Sequence, residues 1–337
     1  MLTSDSPKAV MLAAYHLGSH LLPQYSSKFS RHDFTLPQLY ACLVLREQLG
    51  LSYRATQALL KDSEDWLKML CMNRAPDHNT LCRAFHLIMT EAKINRMLDI
   101  LGELLSREKV LGDTCAIDST LYDTHHRSRH YEQRCRHHAS SDKNAGNARR
   151  SASAKKTPKL SICVDVRTHI ILAARTQTGM GSDASDFLPL LRDSKRRCKS
   201  IRTALADAGY DSHDNHHAAR TQLGIHTLIK TGGGRPSTKP PASCYRRTMK
   251  SELEGSQKGR PYGQRAQAET ANSMLKRNLS SHLRARSPRA RRNEQLLKVI
   301  THNLMIIRRR NRGSRQSRPQ VVFPPSLAPR SFSPGPS

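Results

Sequence analysis

The spacing of apolar residues separates a helical first part of the chain from a mixed second part. In the first third, apolar residues recur at intervals of three and four, which is the period of an α-helix. Ser52 and Ser63 are candidate N-caps, and Asn79 or Thr80 could cap one long further helix. The pattern predicts a helical N-terminal domain over residues 1–110. Short helices joined by tight turns suit a helix-turn-helix reader of DNA, although small helical domains with other roles are commoner.

The second part opens with short apolar runs that are rich in β-forming residues. They read CAIDSTLY, LSICVDV, IILAARTQT, TALADAGYDS and IHTLIK. The second and third runs flank Arg167, Thr168 and His169, which predicts a β-hairpin. The first run is predicted to end at Asp118 and the fourth at Asp207, so two acids stand at predicted strand ends.

Helical segments alternate with these strands. Ser182 or Ser185 could cap a helix that ends in basic residues, and Ser212 could cap HDNHHAARTQLG. LLKVITHNLMII, near the end, has the pattern of an amphipathic helix. The alternation of strands and helices predicts an α/β domain.

One segment combines a predicted helix with a distinctive set of charges. YGQRAQAETANSMLK contains no proline and follows Pro261, which suits a helix start. At about 100° per residue, four polar residues fall within an arc of about 60°: Tyr262, Arg265, Glu269 and Lys276. A neighbouring apolar arc is predicted to pack on a core and consists of Ala268, Ala271, Leu275 and Leu279. A solvated helix face with an i,i+4 Arg–Glu pair would show the same pattern.

Two basic segments and the C-terminal end lack the apolar residues of a core. Residues 125–159 and 231–261 are predicted to be loop insertions, and residues 313–337 a disordered tail. The first insertion contains a group of imidazole and thiol side chains: His125, His126, His130, Cys135, His137 and His138. Their spacing matches none of the paired-ligand patterns of zinc sites, so a loop that contacts phosphates is favoured over a zinc site.

The net charge indicates a polyanionic partner. The 337 residues include 56 Lys and Arg against 27 Asp and Glu, a formal net charge of +29. A compact chain with this excess repels itself unless a polyanion screens it, and nucleic acid is the leading candidate. A membrane is the weaker candidate, because no apolar run approaches the length of about 20 residues that a spanning helix needs. The eight cysteines form no C-x-x-C pair, which predicts reduced thiols and a cytoplasmic location.

The acids suit metal-dependent chemistry on a phosphodiester. At a separation of about 4 Å and an effective dielectric constant of about 20, Asp118 and Asp207 would repel by about 4 kcal/mol. Divalent cations remove this cost, and carboxylate oxygens suit Mg²⁺ or Mn²⁺ better than Zn²⁺. Two ions about 3.5–4 Å apart can activate a water or a 3′-hydroxyl and stabilise the leaving oxygen. Glu269 could complete such a site, while Arg265 and Lys276 bind substrate phosphates.

Three motifs of the second part resemble those of the DDE insertion-sequence transposases. The late helix is similar to the Y-R-E-K signature of a major subgroup, with the spacing Tyr262-x2-Arg265-x3-Glu269-x6-Lys276. CAIDST around Asp118 resembles the first acidic strand of that family, and ALADAGYDS around Asp207 resembles the second. The resemblance extends over about residues 110–310.

The resemblance implies a fold, a metal site and a reaction. The fold is α/β: a ribonuclease-H-like (retroviral-integrase-like) catalytic core over residues 111–312, preceded by the all-α N-terminal domain. Two Mg²⁺ (or Mn²⁺) ions would be held by Asp118, Asp207 and Glu269, and phosphates near the transposon end would be contacted by Tyr262, Arg265 and Lys276. Double-stranded DNA would be nicked by hydrolysis at the terminal inverted repeats, and the freed 3′-hydroxyl would be joined to target DNA. Pairing of two ends implies a homodimer in the nucleoprotein complex.

Other interpretations of the same residues stay open at this point. The chain could be a plain nuclease on the same fold, or an inactive transposase-derived protein that only binds DNA. Asp211 and Asp123 are further acids near the motifs and are interpreted as turn or cap residues. The insertion before Glu269 has only about thirty residues, which leaves open what holds the transposon end and whether a DNA hairpin forms.

Overall fold

The computed structural model describes residues 6–124, 157–179, 181–231, 243–254 and 260–313. The histidine cluster of the first insertion and the tail after Gly313 lie outside these residues. The described chain forms two compact units. One contains the chain up to Ile88 and from Ile307 on, and the other lies within Met89–Ile306. The domain boundaries drawn from the sequence stay a prediction. No helix in the described ranges is both long enough and apolar enough to cross a membrane.

Helices make up the described elements of the first unit up to Ile88. They are α1 (Pro7–Leu21), α2 (Leu36–Gln48), α3 (Tyr53–Lys61), α4 (Glu64–Met69) and α5 (His78–Ile88). α1 packs on α2, and Gly18 permits their close approach. A Cβ added at Gly18 would lie 3.0 Å from Tyr40 Cδ1 and 3.2 Å from Pro37 Cα, so a larger residue would push the two helices apart.

The helix starts agree with the sequence in part. Ser52 Oγ accepts a hydrogen bond from Ala55 N at 3.1 Å, which confirms this predicted N-cap. Ser63 stands at the N-cap position of α4, but its side chain makes no capping bond. The local sequence therefore predicts both N-cap positions but only one of the two capping hydrogen bonds.

The prediction of one long helix after Asn79 or Thr80 is wrong. α5 ends at Ile88 and a new helix, α6 (Glu91–Arg107), follows. Asp77 caps α5 instead, since its Oδ1 accepts from the N–H groups of Asn79 at 2.7 Å and Thr80 at 3.0 Å. Thr90 has an extended backbone, with φ −108° and ψ 150°, and its side chain caps α6. An extended residue cannot continue an α-helix, so the chain stops and restarts there.

A five-stranded mixed sheet forms the centre of the second unit, in the order β4-β3-β1-β5-β6. β3 runs antiparallel to β1 and β4, whereas β1, β5 and β6 are parallel. The strands are β1 (Thr114–Leu121), β3 (Lys159–Asp165), β4 (Ile171–Gln177), β5 (Thr203–Ala206) and β6 (His226–Ile229). A separate parallel pair consists of β2 (Asp123–Thr124) and β7 (His282–Leu283). β3 and β4 confirm the predicted hairpin, and Asp123 lies in a strand rather than in the predicted turn or cap.

Helices cover both faces of this sheet. α7 (Ala184–Arg197) packs on β3 and β4, and α11 (Ala266–Leu279) packs on β1 and β3. Successive strand residues point to opposite faces. Asp118 is hydrogen-bonded to Asn272 of α11, and Ser119 to Asp183 beside α7, so the two helices lie on opposite faces. The other helices are α8 (His213–Gln222), α9 (Cys244–Glu254), α10 (Arg260–Gly263) and α12 (Pro288–Gly313). This mixed α/β arrangement is compatible with a ribonuclease-H-like core, whereas the all-α N-terminal domain stays a prediction.

The caps of α7 and α8 differ in their agreement with the sequence. Ser212 Oγ accepts from Asn215 N at 3.1 Å, which confirms the predicted cap of α8. The predicted caps of α7 are wrong, because Asp183 stands at its N-cap position and Ser185 Oγ donates to Ser182 O. The Asp183 carboxylate makes no capping bond, since other side chains bind it.

α9 lies inside the segment predicted as a second loop insertion, so the loop prediction is wrong there. Arg246 of α9 binds Asp211 through three hydrogen bonds of 2.7–3.0 Å. The Asp211 side chain is only 1% exposed, and His216 Nε2 lies 3.3 Å from its Oδ1. Asp211 also ends the 3₁₀ turn Ala208–Tyr210. A bidentate ion pair therefore fixes α9 to the segment that follows Asp207.

Two polar residues of α12 support the hairpin. Asn303 Oδ1 accepts from Ile171 N at 2.9 Å, and its Nδ2 donates to Ile171 O at 2.8 Å. This amide takes the place of a neighbouring strand at the edge of the sheet. His302 Nε2 donates to His169 O at 3.0 Å. Burial lowers the pKa of His302 to about 4.

Arg197 joins three elements of the second unit. It donates to Asp99 Oδ1 of α6 at 2.7 Å, to Leu172 O of β4 at 2.6 Å and to Asn95 Oδ1 at 2.9 Å. Its side chain is 1% exposed. Gly102 allows this contact, because an added Cβ would lie 2.7 Å from Arg197 Cβ.

We expect Arg197→Ala to lower the free energy of unfolding by about 3–5 kcal/mol, because it removes a buried guanidinium and takes this donor from Asp99 Oδ1 and from the buried carbonyl of Leu172. Arg196 provides a matched control, since it binds Asp99 at 2.7 Å but is 54% exposed. Arg196→Ala is expected to cost less than about 1 kcal/mol. Urea-induced unfolding followed by circular dichroism measures both values. Equal losses in the two variants would contradict this account.

His302 predicts a pH dependence of stability. An unfolded histidine has a pKa of about 6.5, so between that pH and about 4 the unfolded chain binds more protons than the folded one. Neutral His302 makes its full contribution to the free energy of unfolding above a pH of about 6.5. About 3 kcal/mol of that contribution is lost as the pH falls to about 4. His302→Gln keeps a donor for His169 O without titrating. Urea unfolding at neutral and acidic pH should show the variant losing less stability than the wild type, and parallel losses would refute the assignment.

Candidate active site

Asp118 and Asp207 lie side by side where β1 and β5 diverge. The two strands are parallel, and Ile117 opposite Ala206 is their last paired position. Asp118 follows Ile117 within β1, and Asp207 directly follows the end of β5 at Ala206. Adjacent strands are about 4.8 Å apart, so the register brings the two backbones together.

The strand ends differ from the prediction. β1 does not end at Asp118 but continues to Leu121, which is paired with Lys159 of β3. β5 does end beside the acid, and Asp207 begins the 3₁₀ turn through a hydrogen bond of 3.0 Å from Gly209 N to its Oδ1. The open edge at Asp118 therefore forms because β5 leaves the sheet.

The segment from Tyr262 to Lys276 is not one continuous helix, which corrects the single arc predicted for its four polar residues. α10 ends at Gly263 and α11 begins at Ala266, with a turn between them. Tyr262 Oη donates to Ala206 O at 3.2 Å, which draws this part of the chain to the end of β5. The predicted apolar arc is confirmed, because four residues of α11 are buried: Ala268, Ala271, Leu275 and Leu279.

α11 brings the third acid towards the two aspartates. Asn272 Nδ2 donates to Asp118 Oδ2 at 2.9 Å, and Glu269 precedes Asn272 by one turn of the helix, so the two side chains share a face. Arg265 Nη2 lies 2.6 Å from Glu269 Oε1. The Glu269 side chain is 53% exposed, so it can change partners without unpacking α11.

Both other acids act on the electrostatics of Asp118. Burial raises the pKa of Asp118, and the charges of Asp207 and Glu269 raise it further. The hydrogen bonds from Asn272 and from the backbone of Ser119 act in the opposite direction. A cation beside these groups would stabilise their charged forms.

Arg265 stays cationic beside the acids. Burial alone would lower its pKa, but the hydrogen bond and charge of Glu269 leave the pKa raised, with smaller contributions from Tyr262 and Asp118. Burial raises the pKa of Tyr262, and the Arg265 charge opposes this change. A neutral phenol and a guanidinium therefore border the acids on the side of α10 and α11.

Lys276 lies further along α11. Its ammonium is 5.8 Å from the centroid of the Tyr122 ring, and Lys298 Nζ is 5.9 Å from the same ring. Lys276 follows Glu269 by seven positions, which corresponds to about 10 Å along the helix. Of the six residues singled out from the sequence, five are thus brought close together and Lys276 stands apart.

The residues suit a hard cation in chemistry but are not assembled around one. Within the described ranges, no group of three or more His, Cys, Asp or Glu side chains is placed to hold a metal ion. The Glu269 carboxylate is directed to Arg265 instead. The donors are nevertheless carboxylate oxygens, which Mg²⁺ and Mn²⁺ prefer. Asn272 Oδ1, beside Asp118, is buried without a hydrogen-bond partner among the described residues. This amide oxygen is therefore available as one further ligand.

Asn272 and Asp183 are residues of this site that sequence reasoning missed. Asn272 follows Glu269 by three positions, and this helical spacing was an available signal. Asp183 has no comparable signal, because its partners Lys159 and Ser119 are distant in sequence and lie in β3 and β1. From the sequence alone, Asp183 belongs only to the start of a predicted helix.

The comparisons with known proteins agree with this geometry. Residues 111–304, more than half of the chain, match the family model of the transposase DDE domain. No curated protein and no solved structure matches the chain. Proteins of this family act in DNA transposition and normally use divalent metal ions. The matched region contains both strand-end aspartates and the helix with Glu269, and the chain belongs to the DDE transposase family.

Proposed function

We propose that this protein is a cut-and-paste transposase that binds the terminal inverted repeats of its insertion sequence and catalyses DNA cleavage and strand transfer. The observation that carries the proposal is the register of β1 and β5, which sets Asp118 beside Asp207. α11 adds Glu269 to the same electrostatic environment. Membership of the DDE transposase family supplies the reaction class for these three acids.

In this proposal, Asp118, Asp207 and Glu269 hold two Mg²⁺ or Mn²⁺ ions. When bound, such ions activate a water or a 3′-hydroxyl and stabilise the leaving oxygen of the phosphodiester. The chain's own residues orient the ligands. Asn272 fixes one oxygen of Asp118, and the Gly209 N–H fixes one oxygen of Asp207.

Arg265 and Glu269 are proposed to exchange partners when DNA arrives. They neutralise each other at 2.6 Å in the structure. A substrate phosphate offers Arg265 an alternative anion, which leaves the Glu269 carboxylate available to the metal site. Since Glu269 is half exposed, this exchange requires only a change of side-chain rotamer.

Tyr262 and Lys276 are the other proposed phosphate contacts. Tyr262 Oη would exchange the Ala206 carbonyl for a phosphate oxygen. Lys276 lies about 10 Å beyond Glu269 along α11, so it would contact the backbone about three base pairs away from the scissile phosphate, at about 3.4 Å per step.

The proposed partners are double-stranded DNA, as transposon ends and as target, and a second copy of the chain in the nucleoprotein complex. The charge of +29 suits the DNA, and the helices of the N-terminal part are proposed to read the repeat. The described cysteines are free thiols, which suits action on nucleoid DNA in the cytoplasm. A plain nuclease would cut DNA without joining ends, and an inactive relative would only bind it.

We expect Glu269→Gln to abolish Mg²⁺-dependent strand cleavage, because it removes a ligand charge at nearly constant shape. DNA affinity should change by less than about twofold, or about 0.4 kcal/mol. Purified protein and a DNA fragment with the inverted repeats that flank the coding region provide the assay. Joined products distinguish a transposase from a nuclease.

Glu103→Gln is the matched control for this experiment. Glu103 also pairs with an arginine one turn away, Arg107, at 2.7 Å, and it is 65% exposed. Its substitution should leave cleavage unchanged. Full cleavage by Glu269→Gln would overturn the site assignment, and end-independent cutting by the wild type would favour the nuclease.

Binding to DNA should weaken steeply with salt, because each phosphate contact releases counterions and adds about −0.9 to the slope of log K against log salt concentration. We expect Lys276→Gln to reduce that slope by about one. Lys199→Gln should leave it unchanged, since Lys199 is exposed before the start of β5, at the end remote from Asp207. Fluorescence anisotropy at several salt concentrations measures these slopes. Equal slopes for the wild type and Lys276→Gln would exclude the proposed contact.

A further inference from the structure

Asp183 connects the two segments that carry the strand-end acids. Its Oδ1 accepts a hydrogen bond from Ser119 Oγ at 2.8 Å, and Ser119 directly follows Asp118. Its Oδ2 lies 3.1 Å from the point that a Cβ on Gly209 would occupy, and Asp207 Oδ1 lies 3.2 Å from the same point. One carboxylate therefore lies against the neighbours of both acids, from the sheet face that α7 covers.

A buried lysine holds this carboxylate in place. Lys159 Nζ is 2.6 Å from Asp183 Oδ1 and 3.8 Å from Asp186 Oδ2, and it donates to Gly181 O at 3.0 Å. The Lys159 side chain is 4% exposed. The Asp183 side chain is 32% exposed, but loss of its charge is costly because it leaves the buried Lys159 ammonium with only the more distant Asp186 carboxylate. Asp183 is thus fixed in position although it adds a further negative charge near the site.

Tyr210 lies within the influence of the same three aspartates. Its side chain is fully buried and packs on Phe187, with 6.1 Å between ring centroids. Burial raises the pKa of this phenol, and the charges of Asp183, Asp118 and Asp207 raise it further.

We infer that Asp183 is a positioning residue for the metal site, an inference that rests on the proposed function. Through Ser119 and the turn at Gly209, it sets the separation of Asp118 and Asp207 that shared cations require. A residue with a side chain at position 209 would crowd both carboxylates, so the glycine belongs to the same arrangement. Asn272 orients Asp118 from the face of α11, and Asp183 acts from the opposite face.

Asp183→Asn tests this inference, because it keeps the size of the side chain and removes its charge. Asp193→Asn in α7 is the matched control, because Asp193 likewise pairs with basic side chains: Arg175 at 3.5 Å and Arg196 at 3.3 Å. Two readouts are compared in the full-length protein: Mn²⁺ affinity by calorimetry without DNA, and the Mn²⁺ concentration that gives half-maximal cleavage of a terminal-repeat fragment.

We expect Asp183→Asn to weaken Mn²⁺ binding by about 10- to 100-fold, as for other residues that orient metal ligands. The half-maximal Mn²⁺ concentration should rise by a similar factor, while Asp193→Asn leaves both values unchanged. Ser119→Ala, a milder variant for the case that Asp183→Asn does not fold, should weaken binding by about three- to tenfold, the worth of one hydrogen bond.

The outcomes separate this inference from the proposed function. If the wild type cleaves and Glu269→Gln does not, but Asp183→Asn and Ser119→Ala bind Mn²⁺ as the wild type does, the role of Asp183 is overturned and the proposed function stands. A wild type that neither binds Mn²⁺ nor cuts DNA would overturn both.

Discussion

The proximity of two like charges on adjacent parallel strands is the constraint on which the site depends. Two carboxylates about 4 Å apart repel by about 4 kcal/mol at an effective dielectric constant of about 20. Burial raises the pKa of Asp118, and the charge of Asp207 raises it further. The surrounding groups offset this cost without removing the charges. Asn272 and the Gly209 N–H donate to one acid each. Arg265 balances Glu269, and Lys159 balances Asp183.

The alternation of strand residues explains how so many groups reach one point. Asp118 faces α11 and Ser119 faces α7, because successive residues of β1 point to opposite sides of the sheet. The early end of β5 then opens an edge at which groups from both faces meet. A site of this kind needs the strand register more than it needs any local motif, since a shift of one residue would turn Asp118 to the wrong face.

The sequence predicted the parts of this fold that depend on local chemistry. The β3–β4 hairpin, the caps at Ser52 and Ser212 and the buried arc of α11 follow from apolar spacing and short-range hydrogen bonds. The breaks in the predicted helices do not follow from these local features. Tyr262 lies outside α11 and donates to the Ala206 carbonyl, 56 residues earlier in the chain. The basic segment that forms α9 is held by the ion pair of Arg246 with the buried Asp211. Such partners are distant in sequence, and the helix propensities of the local residues cannot identify them.

The burial of acidic side chains increases the excess of positive charge at the surface of this protein. Several of its few acids lie inside the protein, where they arrange loops rather than neutralise the surface. Glu294, whose side chain is 2% exposed, accepts the backbone N–H groups of Arg284 and Ala285, and it thereby fixes the segment before α12. Three exposed cations lie in this segment and in the first turns of α12: Arg286, Arg289 and Arg292. A buried carboxylate thus leaves the surface cations without a neutralising charge, and it fixes the segment that carries them. Fixed, exposed cations are the arrangement that suits binding to a phosphate backbone.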